Sequence, residues 1–142
     1  MGIEMAKMLE NYFIAWNSHD VERILSFFTE DCLYEDVALK RIVRGKTELR
    51  ALLESVFADI AGFKMEIKSV FSAGSWGASE WTMSGRFVHS NDPMLTATGN
   101  SFLVRGATVF ELSDRKISRN TDYLDLTGFL RQVGLMSSRL PK

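Results

Sequence analysis

A single cysteine, Cys32, is all the chain offers to sulfur chemistry, so an internal disulfide is excluded and a reducing, cytoplasmic setting is expected. Histidine is nearly as scarce. His19 sits in a polar turn and His89 near a loop, and with Cys32 they form no recognisable metal set, so no metal is expected. Neither sign of charge dominates: 17 basic side chains stand against 18 acidic ones, a net charge of -1. That balance removes the usual reason to expect nucleic acid or a charged membrane surface as a partner. No apolar run approaches the roughly 18 residues of a membrane span, and no charged start followed by an apolar centre marks a leader. Repeats, low-complexity stretches and linkers are absent, and 142 residues suit one domain over residues 1–142.

What the chain does have is apolar bulk: 46% of its residues are hydrophobic and 11% aromatic, enough for a bulky interior and a lined cavity. Met5, Met8, Leu9, Tyr12, Phe13 and Trp16 make one helical stripe, which predicts a helix over 3–17. Asp20 is placed to cap a second helix carrying Val21, Ile24, Leu25 and Phe28. The run from Cys32 to Val37 alternates as a strand, with Cys32, Tyr34 and Asp36 on one face and Leu33, Glu35 and Val37 on the other; pattern alone leaves the inward face open. Lys40 to Lys46 reads as a basic connection. Its Gly45-Lys46-Thr47 shares letters with a phosphate-binding loop, but Lys40 stands where that loop needs glycine. Thr47 then caps a third helix striped by Leu49, Leu52, Leu53, Val56, Phe57 and Ile60 and ended by Gly62.

Four long strands follow, roughly 63–72, 76–88, 95–112 and 116–126, separated by turn-like residues. Short links between long strands imply antiparallel hairpins, so the class is α+β: helices first, then a meander curling over them. In the second of these strands Trp81, Met83 and Phe87 share the expected inner face, opposite Glu80, Thr82, Ser84 and Arg86. In the third, the set Phe102, Val104, Gly106, Thr108 and Phe110 faces inward. In the last, Asn120, Asp122 and Leu124 share one face, Arg119, Thr121, Tyr123 and Asp125 the other. An outer face with Arg105, Val109, Thr121 and Tyr123 is apolar enough to support a homodimer.

The stretch from Tyr12 to Trp16 leading into AWNSHD, the entry FTEDCLYEDV, and TATGNSFLVRGATVFELSDRKI running into DYLDLTGFLRQVGL together resemble the nuclear transport factor 2-like superfamily. Within it they resemble the SnoaL-like polyketide cyclases and ketosteroid isomerases, over nearly the whole chain. The resemblance implies a cone-shaped cup, a strongly curved, mainly antiparallel sheet closed by three N-terminal helices, as in cystatin-like α+β barrels. It also implies a homodimer and a small apolar or aromatic carbonyl ligand. In the ketosteroid isomerase pattern a helix-one tyrosine falls on Tyr12, five positions before Asn17, and the general-base aspartate on Asp36, 24 positions on. The middle-strand acid of that pattern is replaced by Gly106. In the cyclases an acid/base aspartate corresponds to Asp122, and the histidine many of them carry two positions earlier is Asn120 here. The related limonene epoxide hydrolases need Arg and Asp where this chain has Trp81 and Met83, which speaks against hydrolysis.

The reading is a cofactor-independent acid/base enzyme, by isomerisation, aldol-type cyclisation or dehydration, with Asp122, Asp36 and Tyr12 as catalytic candidates. A carboxylate in an apolar cup is desolvated toward the range useful for taking a proton beside a carbonyl, and a tyrosine hydroxyl can stabilise the enolate oxygen. Trp16, Tyr34, Trp81, Met83, Phe102, Val104 and Asn120 are the expected ligand contacts. The alternative is a noncatalytic module that binds a hydrophobic ligand or dimerises.

Overall fold

The computed structural model describes residues 2–137. Its elements are α1 (Gly2–Ser18), α2 (Val21–Leu25), β1 (Phe28–Asp36), β2 (Arg41–Arg44), α3 (Gly45–Asp59), β3 (Ile60–Ala73), β4 (Trp76–Phe87), β5 (Ser101–Ser113), β6 (Lys116–Leu124) and α4 (Leu126–Gln132). The strands form one six-stranded sheet in the order β2-β1-β6-β5-β4-β3. Every neighbouring pair is antiparallel except β1 with β6, which run parallel. The sheet is curved but not closed, with β2 and β3 as its free edges.

The α+β cone agrees with expectation; the helix count does not. Two strands separate α2 from α3, and α2 is a single short turn of five residues. The α1 stripe is buried at Leu9, Tyr12, Phe13 and Trp16, as its spacing requires. Asp20 does cap α2, accepting the Arg23 amide at 3.2 Å, but Phe28 opens β1 instead of extending the helix.

Three local expectations fail for physical reasons. The basic link contains β2, whose pairing comes from β1 (Tyr34 opposite Val43, Asp36 opposite Arg41) and not from any pattern of its own. Thr47 is not the cap of α3: the helix begins at Gly45, and Glu48 accepts the Arg44 amide at 3.0 Å. Gly62 does not end that helix either. The chain passes straight from Asp59 into extended Ile60, and Gly62, at φ +67°, lies where the β3–β4 register shifts. A glycine in left-handed conformation serves a bulge as well as a helix end.

The third long strand is also shorter than its alternation suggests. Residues 88–100 form a loop, with Gly99 at φ +78°, and β5 starts only at Ser101.

Two side-chain amides complete the sheet where strands are missing. Asn17, at the end of α1, donates to the Met65 carbonyl at 2.8 Å and accepts the Met65 amide at 2.7 Å on the free edge of β3. Gln132 of α4 does the same for Leu103, accepting its amide at 2.7 Å and donating to its carbonyl at 2.9 Å, beyond the end of β6. Each imitates a neighbouring strand and blunts an edge. Asn17→Ala strands both backbone groups of a buried residue, so urea unfolding should show a loss of about 1–2 kcal/mol.

Two clusters fill the interior. The larger joins α1, α3 and the sheet; the smaller gathers Phe87, Phe102, Val104, Phe129 and Val133 around α4.

Candidate functional site

The parallel pairing of β1 with β6 builds the site. It sets Tyr34 beside Asn120 and Asp36 beside Asp122, so the face of β1 carrying Cys32, Tyr34 and Asp36 is the inner one. Antiparallel pairing of β5 with β6 adds Thr108 opposite Asp122. Together with α1, α3, β4 and the 88–100 loop these strands enclose a cavity of about 390 Å³, within the range of small-molecule sites. Its wall is largely aromatic and aliphatic, including Phe13, Trp16, Phe63, Trp81, Met83 and Phe87.

Asp122 is the polar centre. Its Oδ2 accepts a hydrogen bond from the Tyr34 hydroxyl, and its Oδ1 accepts from Thr108 Oγ1 at 2.7 Å and from Asn120 Nδ2 at 2.9 Å. Two of the three donors are positioned in turn. Trp81 Nε1 donates to Thr108 Oγ1 at 2.9 Å, and the Tyr12 hydroxyl donates to Asn120 Oδ1 at 2.9 Å. Tyr12, Trp81, Thr108 and Asn120 are all buried, so the network has few alternatives to this arrangement.

Burial pushes the Asp122 carboxyl up to about 6, against the pull of the bonds from Tyr34, Thr108 and Asn120; the nearby charge of Asp36 adds to the rise. Burial, reinforced by the charge of Asp122, also holds the hydroxyls of Tyr12 and Tyr34 well above the ordinary tyrosine value, so both remain donors at neutral pH. A carboxylate offers about four lone-pair sites, and three are taken here. One remains open among the described residues. Tyr34→Phe deletes a bond that favours the charged form, so the Asp122 carbon resonance in a carboxyl NMR titration should move its midpoint above about 6.

Asp36 stands differently. It lines the cavity, but its Oδ1 accepts the Leu39 amide at 3.0 Å, which closes the turn into β2. Burial raises its carboxyl, and the Leu39 amide, the charge of Arg41 and the Ala38 amide oppose the rise.

Of the residues expected at the site, Asp122, Asp36, Tyr12, Trp16, Tyr34, Trp81, Met83 and Asn120 line the cavity. The Tyr12 hydroxyl is engaged with Asn120 and does not stand free as an oxyanion donor. Phe102 and Val104 are buried but are not on the cavity wall: the Ser101 end of β5 runs under α4, and both residues pack in the smaller cluster. Parity says that a side chain points inward, not which interior space it meets. Thr108 joins the site without being among the expected contacts, although a hydroxyl on the inner face of β5 between Gly106 and Phe110 is signal enough. Ser90, Asn91, Asp92 and Leu95 also line the cavity, and nothing in an irregular loop announced them.

Among the described residues no group of three or more His, Cys, Asp or Glu side chains could hold a metal ion, and no helix is long and apolar enough to cross a membrane.

Comparison with known proteins points one way. The sequence pattern of a family described as a SnoaL-like domain matches residues 9–120. No curated protein matches significantly. Among solved structures, a protein of ketosteroid isomerase-like fold from Catenulispora acidiphila DSM 44928, in complex with trimethylamine, superposes with a TM-score of 0.78 at 22% identity, covering 94% of this chain and 97% of that one. A candidate polyketide cyclase from Pseudomonas putida KT2440 gives 0.80 at 22%, covering 91% and 97%. An LEH-like epoxide hydrolase from M. tuberculosis gives 0.73 at 20%, covering 93% and 90%. At these identities the likeness is one of fold.

Proposed function

Since the chain belongs to the family of SnoaL-like domains, we propose that it is a cofactor-independent acid/base enzyme acting on an apolar carbonyl compound, with Asp122 as the group that moves the proton. One observation carries the reading: a carboxylate held by three donors in an apolar cavity, with its pKa raised to about 6. A base with that pKa is largely ionised at neutral pH yet basic enough to take a proton beside a carbonyl. Isomerisation, aldol-type cyclisation and dehydration all begin with that step. Tyr34 and Thr108 orient the carboxylate, Trp81 and Tyr12 orient Thr108 and Asn120, and Asp36 sits beside it near the turn into β2. Hydrolysis of an epoxide is disfavoured, since Trp81 and Met83 supply no acid on β4.

The test is exchange of the protons adjacent to the carbonyl, followed by NMR in deuterated buffer with a panel of aromatic and alicyclic ketones. Exchange that depends on Asp122 supports the proposal; binding of several ketones without any exchange defeats it.

A second reading, binding without chemistry, has its own support. Tyr12, Tyr34, Trp81 and Thr108 each donate to another protein group, so none of them is left over to stabilise an oxyanion. A ligand retained unchanged, with affinity intact in Asp122→Asn, is the outcome that reading expects.

We further propose a cytoplasmic homodimer joined through the outer face of the sheet, where Leu103 and Tyr123 expose their apolar surfaces. A monomer at all concentrations in sedimentation would sink that proposal.

A further inference from the structure

The cavity wall is unequal in charge. Four carboxylates line it, Asp36, Asp59, Asp92 and Asp122, against the guanidinium of Arg41. No lysine or histidine is on the wall among the described residues. Arg41 is register partner to Asp36 in the β1–β2 pair, and its positive charge already acts on that carboxyl. Asp59 lies 2.8 Å from His89 Nδ1, and the carboxylate of Asp92 accepts the Met94 amide at 2.9 Å. Asp92 is exposed and Asp59 half-buried, which puts both at the mouth on the way to buried Asp122.

An anion entering such a space meets like charge first at the mouth and then at buried Asp122, where water screens it poorly. At the floor it would also surrender its hydration without compensation, because the hydroxyls and the indole N–H there are already committed, and Arg41, beside Asp36, is the one cation on the wall among the described residues. A cation meets the opposite case. The rings of Trp16, Phe63, Trp81 and Phe87 line the same space, and aromatic faces attract ammonium groups.

We infer that the cavity selects its ligand by charge: it takes apolar carbonyl compounds that are neutral or carry an ammonium group, and it excludes those bearing a carboxylate or a phosphate. The inference rests on this cavity being the ligand site, and not on catalysis there. It excludes substrates activated as phosphates and those presented as free acids.

The experiment compares three probes of one shape, 4-methyl-, 4-aminomethyl- and 4-carboxyacetophenone, by calorimetric titration of the full chain near neutral pH. The carboxylate should bind at least roughly tenfold more weakly than the methyl compound, and the amine at least as tightly as it. Added salt should narrow both gaps, as should the double variant Asp59→Asn, Asp92→Asn, shown by its thermal transition to be folded. A carboxylate bound within about threefold of the methyl compound, a gap unchanged in the folded double variant, or no binding by any of the three overturns the inference. An amine that binds tightly and is never turned over leaves it standing and counts against the enzyme reading alone.

Discussion

Asp122→Asn should abolish most of the proton transfer, lowering the exchange rate of a bound ketone by roughly 10²–10⁴-fold while leaving its dissociation constant within a few-fold of wild type. Asparagine keeps the shape and can still meet the surrounding hydroxyls, but it has no basic lone pair at neutral pH. In the wild type the rate should rise with pH and level off above about 6, since the active form is the ionised one. The same group leaves a mark on stability. Its folded pKa, about 6, lies above the ordinary value of 3.8, so between those limits the folded chain holds the extra proton and stability falls as pH rises. The wild type should therefore lose about 2 kcal/mol relative to the variant between pH 4 and pH 7, read from paired urea titrations. Equal pH slopes in the two proteins would show that Asp122 is not the enclosed carboxylate described here.

How far such a site can be read from the chain depends on which forces place each residue. The α1 stripe and the inner faces of β4 and β5 follow from side-chain period, and Leu9, Trp16, Trp81 and Phe110 lie where that period puts them. The inward turn of Asp122 follows from the same rule. Its company does not. Asp36 and Tyr34 reach it through a parallel pairing between strands some 85 residues apart, and no local pattern in β1 chooses β6 as a neighbour. β2 escaped for a related reason: four residues that begin and end in arginine form a strand because β1 offers them an edge. The 88–100 loop misled in the other direction, since the alternation of Leu95 to Gly99 imitates a strand that has no partner. Tyr12 shows a subtler limit. Its place on the stripe was legible, but whether its hydroxyl stays free depended on Asn120, which lies on a different element.

Gly106→Ala should be the most damaging small change outside the carboxylate itself, and the reason revises what that glycine means. Read against isomerase-like chains, Gly106 is a missing acid. In the structure it is the space occupied by an indole. A Cβ added there would lie 2.3 Å from Trp81 Cη2 and 2.5 Å from Cζ3, well inside contact distance. Trp81 is register partner to Gly106, is 4% exposed, and is held at its other end by the bond from Nε1 to Thr108. The ring cannot retreat without breaking that bond or entering the cavity. Overpacking of this kind costs about 1–3 kcal/mol, and the upper end is expected because the indole is rigid. Two further readouts identify the cause. Tryptophan fluorescence should shift as the ring leaves its apolar bed, and ketone affinity should fall as the ring fills the site. In a Trp81→Phe background, where the smaller ring leaves room, the same alanine should cost much less, so the double-mutant cycle should show strong coupling. An alanine as stable as wild type, with an unchanged emission spectrum, would mean that the indole does not rest on Gly106. The geometry also forbids the obvious repair: an aspartate at 106 brings the same clashing Cβ, so the oxyanion acid of isomerase-like sites cannot be restored there while Trp81 remains in place.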